Sequence, residues 1–502
     1  MEISGRNLRL VMGLKLKQLR QKQGYSLKEL AEKSRISLSY LSEIEKGKKY
    51  PTPEKALQLA KALNVSFDDL VSLKGSEELD PLTAILESPF LKEFPFQLFG
   101  LHARDIVGLV KESPRKAGAL LRTLLDIGQS YDMRVEQFLF AALRSYQKMH
   151  QNYFEDLEEA AEKFLKEHAW PEASPPALET LQETLIKEYG YALDETALKN
   201  HTELQGFRSV FVAGNAPKLL LNEKLLPAQK AFILARELGY CHLKLTERAL
   251  TSSWLKVESF EQVLNNFQAS YFAGALLLQR EVLHRDLQVF FQKPKWDGEA
   301  FLQLMARYQA TPEMFLYRLS QLLPKRFDLK EMFYLRFNHE AGSETFHLTK
   351  ELNMSRMLVP HGVGLNEHYC RRWLSIRILQ ELAEQQRRGE THSPLIGAQR
   401  SHFIAEDVEY FIISLARPLV LSEGTNASMT LGFLINEDFK KTVRFWEDPA
   451  LPRFEVNETC ERCSLAPEVC KERAAPPLIH QRERTQSRRE EALQQLMHEL
   501  RG

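Results

Sequence analysis

The sequence predicts a multidomain chain, mainly α with α+β parts, on three observations. Residues 12–73 and much of 82–170 carry apolar side chains at three-and-four spacing, the period of helices buried on one face. Residues 178–328 mix helical stretches with two short strand candidates. Residues 331–477 turn to strand-like runs around one helix, and 478–502 form a charged tail. At 502 residues the chain is too long for one domain, and its 44% hydrophobic content supports several cores. No apolar run reaches the roughly 18 residues that span a bilayer, and Arg6, Arg9 and Lys15 interrupt the N-terminal apolar stretch. A cytoplasmic protein with no membrane partner is expected.

The first domain, 12–73, centres on Ser26–Gly47. Ser26 suits an N-cap, and Glu29 completes a capping box. Leu27, Leu30 and Ala31 give the first helix an apolar face. Ser34, Arg35 and Ile36 form a turn, and Ser37 caps a second helix with Leu38, Leu41 and Ile44 inside. Gly47 is its stop. The outward face of that second helix offers Ser37, Ser39, Tyr40, Ser42 and Glu43, short polar groups and one ring suited to contacts in a major groove, and Ser26 is a further DNA-contact candidate. Residues 1–50 hold 12 Lys and Arg against 5 Asp and Glu, a net of +7 on a neutral chain, which is the footprint of a phosphate-binding module. Arg20, Lys46, Lys48 and Lys49 are the phosphate candidates. With its S-x-x-x-L-A opening, its L-S-x-I-E-x-G second helix and its P-x-x-x-L-x-L-A-x-x-L ending at Leu63, the stretch resembles the lambda-repressor/Cro, Xre-type helix-turn-helix domain. The resemblance implies double-stranded DNA as partner and a homodimer reading two half-sites about one helical turn apart.

Lys74–Pro81 reads as a linker, and 82–170 as a helical spacer or dimerisation region, with helices over 117–127, 135–149 and 154–168. A second linker is expected at 171–176. In 178–328, strand candidates at 210–213 and 219–221 precede a helix beginning at Pro227. Leu219–Asn222 followed by Phe232–Tyr240 resembles the zincin-like ImmA/IrrE peptidase family, whose helix reads F-x-L-A-H-E-L-G-H. A zincin needs two histidines one turn apart with a Glu that activates water. Here Arg236 and Tyr240 stand at the histidine positions, and only Glu237 remains. Arginine stays protonated and cannot ligate zinc. His242 falls off the ligand face. The segment Ala269–Leu278 resembles the family's later helix, and Asn266 stands where a carboxylate ligand belongs. The expectation is a degenerate α+β domain with no catalytic residue and no enzymatic activity.

In 331–477, strands are expected at 333–337, 345–348, 410–416 and 429–435, with a helix over 373–386, giving an α+β sensor-like domain. Five cysteines in a long chain are not a disulfide framework. Cys460 and Cys463 form a C-x-x-C step, Cys470 follows after a short loop, and Cys370 is the expected fourth ligand. Cys241 is expected to be core packing. This spacing fits a structural zinc as well as an iron–sulfur cluster. The C-R-R-W step at Cys370, and the ending from Cys460 through Arg473, Ala475, Pro476 and Pro477, complete a resemblance over about residues 12–477 to the short-chain fatty acyl transcriptional regulators. That resemblance implies a regulator of short-chain acyl metabolism that senses acyl-coenzyme A, with an iron–sulfur cluster, such as 4Fe–4S, on the cysteines; zinc is the alternative. Arg371 and Arg372 are candidates for the phosphates of the acyl-coenzyme A. The alternatives are a metallopeptidase-type anti-repressor, against which Arg236 and Tyr240 speak, and a phage or toxin–antitoxin regulator answering to a protein. The tail is read as a solvated helix with no assigned role.

Overall fold

A computed structural model describes residues 5–46, 48–71, 96–99, 134–171, 174–251, 257–357, 359, 367–390 and 394–499. The chain divides into two compact units, one up to Ala142 and one from Leu143. No helix of the described residues is long and apolar enough to cross a membrane. The linker expected at 74–81, the helix at 117–127 and the stop at Gly47 lie outside the described residues.

The first unit contains α1 (Gly5–Lys22), α2 (Leu27–Ser34), α3 (Leu38–Glu45), α4 (Pro53–Leu63) and α5 (Phe67–Val71). Its core joins Met12 and Leu16 to Leu30, Ile36, Leu41, Ile44, Leu59, Leu63 and Leu70. The capping box at α2 is formed: the Glu29 N–H donates to Ser26 Oγ at 3.2 Å and the Ser26 N–H to Glu29 Oε2 at 2.6 Å. Arg35 ends α2 in the left-handed region at φ 55, which turns the chain into α3. Helix α1 crosses α3 so closely that a Cβ on Gly13 would lie 2.2 Å from the Ile44 carbonyl oxygen. Leu38, expected on the inner face of α3, is 49% exposed. Steps of three residues drift about 60° per step on a helix, so Leu41 and Ile44 take the core and Leu38 turns outward.

The second unit takes in the C-terminal part of α6 (Val135–Met149), then α7 (Glu155–Glu167) and α8 (Leu178–Tyr189). A three-stranded sheet follows, with β1 (Ala192–Asp194) parallel to β3 (Lys218–Leu221) and β2 (Ser209–Val212) antiparallel to it. Helix α9 (Pro227–His242) lies against α10 (Phe260–Leu277). Gly239 makes that crossing close, since a Cβ there would sit 3.0 Å from the Ala269 carbonyl oxygen. Helices α11 (Arg280–Phe291), α12 (Gly298–Arg307) and α13 (Pro312–Arg326) complete the helical layer.

Helix α7, assigned by the sequence to a spacer ending at 170, is part of this unit. It buries Leu157, Ala161, Phe164 and Leu165. Its Glu158 accepts from Arg318 of α13 at 2.6 and 2.8 Å and from the Tyr271 hydroxyl at 2.7 Å. A buried carboxylate needs such partners, so α7 is held where it is by charge as well as by apolar area.

The C-terminal region builds a six-stranded sheet in the order β5-β4-β8-β7-β6-β9. Its strands are β4 (Met332–Glu340), β5 (His347–Asn353), β6 (Leu395–Phe403), β7 (Val408–Pro418), β8 (Thr425–Leu434) and β9 (Arg453–Val456). All neighbours are antiparallel except β6 and β9. Strand side chains alternate between faces. Phe333, Leu335 and Phe337 of β4 therefore join the cluster under α14 (Leu374–Arg387), while Met332 and Tyr334 join the core shared with the helical layer. That shared core means the boundary expected at 328–331 is not a break in packing. Strands β6 and β9 were not among those expected. Helix α15 (Glu437–Thr442) follows β8, and α16 (Leu478–Glu499) closes the chain with no buried residue.

Candidate nucleic-acid interface and ligand sites

Ser37 caps α3, accepting the Tyr40 N–H at 3.4 Å. Ser37 and Ser39 are exposed, and Tyr40 and Ser42 half-exposed, along one side of α3. Ser26 is exposed at the start of α2. A capping oxygen that accepts a backbone N–H keeps its own O–H for a phosphate or a base. The Tyr40 ring is held by two cations: Lys55 Nζ lies 3.6 Å and Lys49 Nζ 5.4 Å from its centroid. Lys49 is also paired with Glu43 at 2.8 Å. Lys46 and Lys48 are exposed just past α3. Lys55 was not a sequence candidate; its place on the first turn of α4, opposite the outer face of α3, is what brings it in.

Arg20 behaves differently from the expectation that it binds phosphate. Its Nε and Nη2 donate to Glu45 at 2.7 and 3.0 Å, and its Nη1 to the Tyr25 carbonyl at 2.8 Å. A planar guanidinium matches a carboxylate in this two-pronged way, and the bond to Glu45 raises the Arg20 pKa further. Arg20 braces α1 against the end of α3.

In the second unit, Glu237 is fully buried on α9. Arg248 closes on it, with Nη2 at 2.7 Å from Oε1 and 2.6 Å from Oε2. The Arg248 guanidinium is stacked between Phe211 at 3.7 Å and Tyr240 at 4.1 Å. The Tyr240 hydroxyl donates to Asn266 Oδ1 at 3.3 Å. The carboxylate of α9 is thus held by a cation from outside that helix, and Tyr240 and Asn266 are bonded to each other beside it. His242 packs between Phe164 and Phe272, with ring centroids at 5.1 and 5.6 Å. Cys241 is half-buried and meets the Tyr191 hydroxyl at 3.7 Å. Arg236 and Asn266 also line a cavity of about 220 Å³ between α9, α10, α13 and the C-terminal sheet.

The cysteines converge through backbone pairing. Tyr369 and Thr459 form an antiparallel bridge. The Cys370 N–H donates to the Glu458 carbonyl at 3.2 Å, and the Cys460 N–H to the His368 carbonyl at 2.9 Å. This places Cys370 beside the C-x-x-C loop although 90 residues of chain separate it from Cys460. Cys370, Cys460, Cys463 and Cys470 are all buried. Burial pushes the Cys370 thiol up to about 12, and its neighbours Cys460 and Cys463 push the same way. Four soft donors in one corner suit zinc or an iron–sulfur cluster in chemical type. Nε and Nη1 of Arg473, buried beside Cys463 and Cys470, have no hydrogen-bond partner, which suits an anionic centre. As placed, no group of three or more His, Cys, Asp or Glu among the described residues is arranged to hold a metal ion.

Arg371 and Arg372 are not on an exposed helix start. Arg371 is buried, stacks on Phe346 at 4.6 Å and donates to the Glu344 carbonyl at 2.7 Å. Arg372 donates to Glu472 at 3.1 Å and to the Val469 carbonyl. Both are engaged by protein groups, and Arg372 ties the base of α14 to the loop carrying Cys470. As placed, neither presents a guanidinium for coenzyme phosphates.

Residues 16–70 match the family described as Helix-turn-helix, and residues 194–320 match the IrrE N-terminal-like domain. No curated protein matches the chain. Among solved structures it is similar to a Mycobacterium tuberculosis transcriptional regulator, at 16% identity and a TM-score of 0.47, over 67% of this chain and 94% of that one. The chain thus carries a helix-turn-helix DNA-binding domain joined in sequence to an IrrE-type domain.

Proposed function

We propose that this chain is a transcription regulator of short-chain acyl metabolism that binds an operator in double-stranded DNA as a homodimer. The observation that carries the reading is α3: a capped helix with a polar, half-open outer side, flanked by Lys46, Lys48, Lys49 and Lys55 and braced from behind by Arg20. Ser26, Ser37, Ser39, Tyr40 and Ser42 make the DNA contacts, with the lysines on phosphates. The IrrE-type domain serves as a ligand-responsive scaffold rather than as a peptidase, in keeping with Arg248 on Glu237.

In the C-terminal region Cys370, Cys460, Cys463 and Cys470 hold an iron–sulfur cluster. When bound, the cluster supplies a redox-sensitive charge. Arg473 offsets that charge, and Arg372 fixes the loop that carries Cys470. Acyl-coenzyme A is the effector, a reading that rests on the resemblance of the C-R-R-W step and of the cysteine ending. Effector or cluster shifts operator affinity only if it binds the two states of the regulator differently.

The test is native mass spectrometry of anaerobically purified protein with a panel of acyl-coenzyme A esters, followed by operator titration. A dimer with an iron–sulfur mass increment, lost in Cys463→Ser, and an ester that changes operator affinity are expected. A zinc increment makes the cysteine site structural. Operator affinity unchanged at saturating ester removes the effector from the reading.

A further inference from the structure

The cavity beside α9 has an unusual charge balance. Its wall brings together Arg236 of α9, Lys350 of β5, Arg417 of β7 and Arg208 from the loop before β2. Among the described residues lining it, the one carboxylate is Glu313, on the first turn of α13. The other cation in the wall, Arg318, is already matched by Glu158. Arg208 lies 3.8 Å from Glu313, and a further cation, Arg336 of β4, lies 3.7 Å from it.

Arg236 also has Glu237 at 3.8 Å, but Arg248 holds that carboxylate at 2.6 Å, so cations outnumber carboxylates around the cavity. At about 4 Å, a pair of unit charges interacts by about 4 kcal/mol even at an effective dielectric of 20, and each cation near Glu313 also repels the others. Burial tends to raise the Glu313 carboxyl, but Arg336, Arg208, Lys350 and Arg417 outweigh it and hold it down to about 2. Burial pushes Lys350 down to about 8, and the neighbouring arginines Arg336 and Arg208 push the same way against the pull of Glu313. Lys350 can shed its proton in response; the arginines cannot. Nε of Arg417, on a residue only 7% exposed, has no hydrogen-bond partner, and neither has Nε of Arg236.

The remaining walls favour an anion. Thr311 caps α13, so the positive end of a 15-residue helix is at the cavity. Asn266, Ser270 and Gln321 offer neutral hydrogen-bonding groups. At about 220 Å³ the space is below the roughly 300–1,000 Å³ of drug-sized pockets. It suits a compact ligand.

We infer that this cavity binds a small dianion, a phosphate monoester or a dicarboxylate, gripped by Arg236, Arg417, Lys350 and Arg208. The ligand touches α9 and α13 on one side and the C-terminal sheet on the other, so it would stiffen the seam between them. This goes beyond the acyl-coenzyme A reading and does not depend on it.

The experiment is thermal unfolding of the full chain in phosphate-free buffer at constant ionic strength, titrated separately with inorganic phosphate, succinate and coenzyme A. A saturable rise in the midpoint, of about 3–4 °C at a hundredfold excess over Kd, is expected for phosphate or succinate. Which of the two acts identifies the class of dianion. The rise disappears in Arg417→Gln and in Lys350→Gln, while both variants without added anion melt no lower than the unmodified chain, because each removes a charge from a crowded set. No rise with either small anion, an equal rise in both variants, variants that melt lower without anion, or a response to coenzyme A alone overturns the inference. None of these readouts involves DNA, so the regulator reading stands or falls separately.

Discussion

A single Arg248 nitrogen, Nη2, bridges both carboxylate oxygens of Glu237, at 2.7 and 2.6 Å, on α9 of the IrrE-type domain. Glu237 is fully buried, and among the described residues no other cation lies as close to it; Arg236 stands off at 3.8 Å. Arg248→Ala therefore strands a buried charge. The expected cost is about 3–5 kcal/mol, read by urea unfolding. The double variant Glu237→Leu/Arg248→Met removes both charges together and recovers most of that loss. Equal losses in the single and double variants would mean that packing of the guanidinium between Phe211 and Tyr240 matters more than the pair.

Phosphate contacts and internal braces separate by salt dependence. Each lost phosphate contact lowers the slope of log affinity against log salt by about 0.9. Lys46→Ala and Lys48→Ala are expected to do this on operator DNA. Arg20→Lys is expected to leave the slope alone and to lower the stability of the helix-turn-helix unit by about 1 kcal/mol, since lysine cannot reproduce the two-pronged bond to Glu45. A slope change in Arg20→Lys would return that residue to the DNA interface.

Lys350 links stability to pH. Its pKa is near 8 in the folded protein and 10.5 without the fold. The unfolded chain therefore binds more protons between those values, and this lysine's share of stability rises as pH climbs from 8 to 10.5. Below pH 8 its charge costs the fold at most about 3 kcal/mol. Groups facing it are Glu313, Arg336, Arg208, Tyr317 and Tyr334. Lys350→Gln is expected to stabilise the anion-free protein at pH 7, with the gain shrinking toward pH 10. A gain independent of pH would place the effect elsewhere.

Phe333 and Gly432 are directly paired between β4 and β8, and a Cβ on Gly432 would fall 2.1 Å from the Phe333 ring. Gly432→Ala is expected to destabilise the C-terminal sheet by about 1–3 kcal/mol through overpacking. Adding Phe333→Leu to that variant makes room and should return part of the loss, measured by thermal unfolding of both variants.

The local elements were legible in the sequence because their signals are local. Ser26 and Glu29 state a capping box within four residues, and the runs at 410–416 and 429–435 state strands by their β-branched and aromatic content. The absence of histidine at Arg236 and Tyr240 is equally plain. Strand β6 escaped because its buried Gln399 and Ser401 look like surface groups; they are tolerated inside by bonding to each other at 2.8 Å, with Gln399 also bonded to Arg377 and the Arg372 carbonyl.

What tertiary structure alone decided is how distant charges meet. Arg20 looks like a phosphate ligand until Glu45, 25 residues on, is found against it. Arg248 carries no motif, and its role exists only because the chain returns to α9. Glu158 and Arg318, 160 residues apart, carry α7 into the core of the second unit. The cavity cations come from β5, β7, α9 and a loop, and only Arg236 stood out in its own stretch, as a replaced histidine and not as an anion contact. Periodicity and capping act over one or two turns of chain, whereas Coulomb interaction and desolvation depend on distance in space, which the fold sets and the order of residues does not display.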